Sequence, residues 1–74
     1  VEVDDIYVMS YLLAKGYKAG ERNKRSGRVS VEFSGAGVAD AISEYFSGGV
    51  LPAKDYVKCY TEARELVFYD KERN

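Results

Sequence analysis

From Ile6 to Ala14 the chain reads IYVMSYLLA, apolar everywhere except Ser10. The spacing predicts a first helix. Asp4 or Asp5 caps it by accepting from free N–H groups of the first turn. Lys15 suits the negative C-terminal end, and Gly16 is the left-handed stop. The apolar stripe of a surface helix covers a third to a half of its circumference. Here Ile6, Met9 and Leu13 share one side, while Val8, Tyr11 and Leu12 share another. A domain this small rarely encloses a helix all round, so one side is expected to meet a second chain. Ile6, Tyr7, Val8, Tyr11 and Leu12 are the candidate dimer interface.

Two strands are expected next. In RVSVEF, Val29, Val31 and Phe33 alternate with Arg28, Ser30 and Glu32, the period of a sheet with one wet face. YKAGER, with Tyr17 and Ala19, gives a weaker match, and NKRSG between them is rich in turn formers. A lone hairpin is marginal in water. It needs a helix on its apolar face, a third strand from VEV, or a second copy.

VADAISEYFS then reads as a helix with Val38, Ile42, Tyr45 and Phe46 on its inner stripe, ended by Gly48 and Gly49. PAKDYVKCYTEARELVFYDK reads as the longest helix, opened by Pro52. Tyr56, Cys59, Tyr60, Ala63, Leu66 and Val67 line its inner side. The order helix, strand, strand, helix, helix, with a small antiparallel hairpin packed against helices, gives an α+β class. One domain spans residues 1–74, ordered from about 4 to 69, with a frayed tail over 70–74.

Composition sharpens the need for a partner. A chain of 74 residues buries only roughly 60–65% of its unfolded surface, so small domains lean on disulfides, metal or a second subunit. Cys59 is the single cysteine and there is no histidine, which removes an internal disulfide and a zinc site of the Cys/His type. Self-association is left. No apolar run is long enough to span a membrane. The lone thiol and the acidic opening VEVDD fit a cytoplasmic protein.

The segments YLLAKGYK, VEF and YFSGGVLPAKDYV, followed by an amphipathic helix, resemble a family of short bacterial, archaeal and phage-borne domains of unknown function. The resemblance runs from about Asp5 to Tyr69. It implies the same small fold and carries over no catalytic residue. Tyr17 stands where many relatives have His.

Charge is unevenly spread. From Lys15 to Arg28, six cations face Glu21 alone, a net of +5 in a chain of net −1. The cationic hairpin end would draw anionic partners to itself. Lys18, Arg22, Lys24, Arg25 and Arg28 are the candidate phosphate contacts. No aromatic residue lies between Lys18 and Glu32 to stack on bases, and charged tips also serve to keep strand edges soluble.

Other chemistry is sparse. Without histidine, Ser–His and Cys–His catalysis is excluded. Asp4 and Asp5 read as caps, Cys59 as core packing, and SGAG before the second helix as a plain loop lacking a phosphate-binding pattern. Seven tyrosines suit either a core edge or an interface. The expected function is a non-enzymatic domain acting through protein–protein contacts as a homodimer, without cofactor, membrane or small-molecule substrate. A different protein is a further possible partner; the alternatives are a nucleic-acid accessory protein of a phage or mobile element and, last, an enzyme.

Overall fold

The computed structural model describes residues 1–73, with side chains described through Phe68. The expected fraying of 70–74 falls on residues whose side chains, and at Asn74 the backbone too, lie outside this description. The elements are β1 (Glu2–Val3), α1 (Ile6–Ala14), β2 (Ala19–Arg25), β3 (Arg28–Phe33), α2 (Val38–Phe46) and α3 (Ala53–Arg73). The α+β class and the helix, strand, strand, helix, helix order hold. VEV supplies a short extra strand, giving an antiparallel sheet in the order β1-β3-β2.

The central strand follows its alternation. Val31 and Phe33 are fully buried, and Val3, opposite Val31, is buried with them. The opposite face carries Ser30 and Glu32, paired across the ladder with Asn23 and Glu2. One face of the sheet is therefore dry against the helices and the other wet.

The hairpin turn is tighter than NKRSG implied. Asn23, Lys24 and Arg25 are strand residues, and only Ser26 and Gly27 form the loop. Both have positive φ, 51° and 81°, the type I′ geometry whose twist matches that of paired strands. The ladder also slips: Ala19 lies opposite Phe33, but Arg22 lies opposite Val31. Three steps on β2 match two on β3, so one residue is bulged. Gly20 sits at this bulge, where a Cβ would come within 3.1 Å of the Glu32 carbonyl. The bulge returns Arg22 to the helix side of the sheet, the side of its partner Val31.

Both short helices end alike. The Tyr17 N–H reaches the Leu12 carbonyl and Gly16 reaches Leu13, each at 3.0 Å. Gly49 reaches Glu44 at 2.9 Å and Gly48 reaches Tyr45 at 3.2 Å. These paired bonds satisfy the last free carbonyls, with a left-handed glycine at Gly16 and Gly48. At its start, α1 is capped by Asp5, which accepts from the N–H groups of Tyr7 and Val8.

The core joins α1 to the sheet and to α2 and α3: Val3, Val8, Met9, Leu12, Val31, Phe33, Val38, Ala41 and Ala63. This corrects the expectation for α1. Val8, Met9, Ser10, Tyr11 and Leu12 are all buried by their own chain. The lone polar residue, Ser10, donates its hydroxyl to the Ile6 carbonyl at 2.7 Å, so its burial leaves no unmet bond. In α2 the inner stripe is Val38, Ala41, Ile42 and Tyr45, while Phe46, expected inside, points to solvent.

Candidate interaction face

The five residues expected at a dimer interface do not form an exposed face. Val8, Tyr11 and Leu12 are buried and Ile6 is half-buried, so only Tyr7 is open to solvent. The expectation counted apolar side chains on α1 but could not see how far α3 extends along it.

The five candidate phosphate contacts are likewise divided. Arg22 lies beneath the sheet, where Nη1 donates to the Leu66 carbonyl at 2.9 Å. It lines a groove of about 500 Å³ with Leu13, Ala19, Glu62, Glu65 and Leu66. Lys24 pairs with Val29, so it shares that side of the sheet, whereas Arg25 and Arg28 oppose each other on the wet face. There Arg25 meets Glu2 at 3.2 Å and Arg28 meets Asp4 at 3.5 Å. Asn23 also donates to Glu2, at 2.8 Å. Exposed pairs of this kind stabilise the fold by only about 0–1 kcal/mol. Their electrostatic effect is larger: two carboxylates from the chain's opening stretch offset two of the hairpin's cations. Lys18 is exposed just before β2.

All the described tyrosines but Tyr17 cluster. They lie along the seam between α1 and α3 and continue onto α2. Tyr7 stacks on Tyr60 with ring centres 5.7 Å apart, and Tyr56 donates its hydroxyl to the Tyr7 carbonyl at 3.3 Å. Tyr11 meets Tyr45 edge-on at 5.6 Å, and Tyr45 meets Phe46 edge-on at 5.0 Å. Such edge-to-face pairs are the arrangement favoured by ring quadrupoles. Tyr17 stands apart and donates to the Ala36 carbonyl at 3.1 Å.

A polar knot ties this row to α2. The Tyr11 hydroxyl donates to Glu44 Oε1 at 2.5 Å, and Lys15 Nζ reaches the same oxygen at 3.1 Å. The bond to Glu44, with burial and the nearby negative charge, pushes the Tyr11 hydroxyl up to about 12. Glu44 is held below its ordinary value, first by the Tyr11 bond and then by Lys15. Tyr56 is raised by burial, with smaller contributions from Tyr45, Asp5, Tyr7 and Tyr60 around it.

Four large apolar or aromatic side chains on the elements that carry this row, and on the loop after α2, are exposed. Phe46 is 71% exposed, Val50 88%, Val57 63% and Tyr7 53%. Tyr11, Tyr45, Gly49, Leu51, Ala53 and Tyr56 line a groove of about 340 Å³ among them. Phe46 abuts its Tyr45 wall, Val50 is the loop residue between Gly49 and Leu51, and Val57 follows Tyr56 on α3. In the sequence, the exposed loop GGV after an aromatic pair was the only hint of this face.

Cys59 is buried on the inner side of α3. Burial, followed by Glu62, pushes its thiol up, away from the thiolate form that reacts. Among the described residues no cluster of three or more His, Cys, Asp or Glu side chains is placed to hold a metal ion. No described helix is long and apolar enough to cross a membrane.

Compared with known proteins, the chain matches no family model, no curated protein and no solved structure.

Proposed function

We propose that this chain is a non-enzymatic binding domain that works through protein–protein contact and pairs with a second copy of itself. The contact surface is the end of α2, the loop through Val50 and Leu51, and the first turns of α3. One observation carries the reading: Phe46, Val50 and Val57 are exposed beside a row of tyrosines. Phe46 meets the Tyr45 wall of the groove, and Val50 and Val57 adjoin its lining residues Gly49, Leu51 and Tyr56 in the chain; large exposed apolar side chains that form a patch mark interaction sites. Tyrosine and phenylalanine are also the residue types enriched where proteins meet.

The motive for pairing has thus moved. It no longer rests on α1, which its own chain covers, but on the surface beyond it. Sedimentation equilibrium at micromolar concentration tests the reading. A dimer mass is expected, falling to monomer in Val50→Asp and in Phe46→Ser. A strictly monomeric protein, or a dimer indifferent to both changes, would sink it.

A second reading, phosphate contact by the hairpin, is favoured by Lys24, which is exposed and has no ion-pair partner among the described residues. Lys18, Lys24, Arg25 and Arg28 would touch nucleic-acid backbone without reading bases. Fluorescence anisotropy with labelled duplex DNA at low salt decides it. Loss of binding in a Lys24→Ala, Arg25→Ala, Arg28→Ala triple variant supports the reading, and binding that survives the change removes it.

A further inference from the structure

On the wet face of the sheet the hairpin holds two guanidiniums side by side. Arg25 and Arg28 are cross-strand partners at the mouth of the two-residue turn, so their side chains leave the same face as neighbours. Each already meets a carboxylate. Arg25 Nη2 lies 3.2 Å from Glu2 Oε2, and Asn23 Nδ2 donates to that same oxygen at 2.8 Å. Arg28 Nη2 lies 3.5 Å from Asp4 Oδ2. Asn23 and Arg25 belong to β2 and Glu2 to β1, with β3 between them. They can reach across because the β3 residue opposite Asn23 is the small Ser30. Glu2, Asp4, Arg25, Arg28 and Ser30 line a groove of about 270 Å³.

The carboxylates are held there by contacts that do not involve the hairpin tip. Val3, between them, is buried opposite Val31, and Asp5 caps α1. Strand alternation then turns Glu2 and Asp4 outward on either side of Val3. The guanidiniums are not sealed by these pairs: Arg25 and Arg28 remain 72% and 76% exposed. Ion pairs this open to water are weak, so another anion can displace the carboxylates without moving a strand. A guanidinium fork receives carboxylate and phosphate in the same geometry.

We infer that Glu2 and Asp4 are a built-in competitor for nucleic-acid phosphate, occupying Arg25 and Arg28 until a backbone phosphate displaces them. The inference rests on the phosphate reading of the hairpin and adds its regulation. Lys18 and Lys24, which have no ion-pair partner among the described residues, give the first attraction. The two arginines engage only against their own carboxylates, which raises the phosphate density needed for binding.

Fluorescence anisotropy with labelled duplex DNA at low salt tests it on three proteins. They are the parent, a Glu2→Gln, Asp4→Asn variant, and an Asp40→Asn, Asp55→Asn control that changes net charge equally on α2 and α3. The Glu2→Gln, Asp4→Asn protein should bind roughly three- to tenfold more tightly than the parent, and the control markedly less so. Its log–log salt slope should be steeper by up to about 2, since two more cations then release counterions. The gain should vanish when Arg25→Ala and Arg28→Ala are added. Circular dichroism confirms the fold; should the double variant not fold, Asp4→Asn alone takes its place, with a smaller gain expected. An equal gain in the variant and the control, or a gain in neither, would overturn the inference and leave the phosphate reading standing. Binding by none of the proteins would remove both.

Discussion

α1 and the stretch from Tyr45 to Val57 send their large apolar side chains in opposite directions. Met9 and Leu12 are sealed inside, whereas Phe46, Val50 and Val57 stand in solvent. By composition alone the first looks like the sticky segment and the second like an ordinary amphipathic helix end. The difference lies in what each is packed against. α1 is nine residues long and lies beside α3, which has twenty-one. α2 closes another side through Tyr45 and Glu44, and the sheet shares its core from below. Around Phe46 the chain is instead leaving a helix. Gly48 turns it, the loop carries Val50 outward, and α3 begins with Val57 on its outer side. The apolar content of a helix says how much surface must be covered, while the length and placement of its neighbours say whether it is.

The largest test of this contrast is Leu12→Ala. A fully buried leucine enclosed by its own chain should cost about 2–5 kcal/mol on truncation. Urea unfolding should show the midpoint fall sharply, and to the same extent at every protein concentration. A loss that grew as the protein was diluted would mean that a second chain, not α3, shelters this helix.

The join between the two regions gives the next effect. Gly49→Ala places a methyl group on the Tyr11 hydroxyl, so either the loop or the ring must move. Overpacking of this kind costs about 1–3 kcal/mol. The change should also release Glu44 from Tyr11, visible as a rise of the Glu44 carboxyl toward its ordinary value in a carbon-detected titration. An unaltered midpoint and an unaltered Glu44 would show that the knot does not hold α2 to α1.

These contacts differ in how far the sequence revealed them. The alternation of Val29, Val31 and Phe33 and the stops at Gly16 and Gly48 were legible because they depend on local periodicity and backbone conformation. The Asp5 cap was legible to within one residue. The bulge near Gly20 was not, since it is set by how β2 meets β3. That slip sends Arg22 beneath the sheet while Arg25 and Arg28 stay on the wet face, dividing a basic run that looks continuous when read along the chain. Glu2 and Asp4 are distant in sequence from the hairpin, so their pairing with Arg25 and Arg28 gave no signal either. The aromatic face was hidden for the same reason: Tyr7, Tyr45 and Tyr56 come from three helices.

A milder probe of the same join uses pH. Tyr11 keeps its proton to a higher pH when folded than when unfolded, because deprotonation would forfeit the bond its hydroxyl donates to Glu44, strand a charge in a buried place and set it against the carboxylate. A raised folded value means that the stabilising contribution is complete below the unfolded value, about 10. It is lost as pH climbs from there through about 12. Thermal midpoints should therefore decline across this window more steeply in the parent protein than in Tyr11→Phe. Parallel declines would assign the alkaline loss to other groups.

The smallest effect on stability belongs to the exposed side of the comparison, and for that reason it is the most telling about function. Val57→Ser removes both methyl groups and introduces a hydroxyl at a site that touches water already. Surface changes of this kind alter stability by less than about 0.5 kcal/mol, against the several expected for Leu12→Ala. If the face around Val57 is a contact surface, the same change should shift the monomer–dimer equilibrium seen by sedimentation while leaving the urea midpoint of the dissociated protein in place. Stability and association would then separate cleanly, one governed by α1 and the other by the rim of α3. A Val57→Ser protein that unfolds as readily as Leu12→Ala would show instead that this valine is sheltered by its own fold, and the contrast between the two regions would collapse.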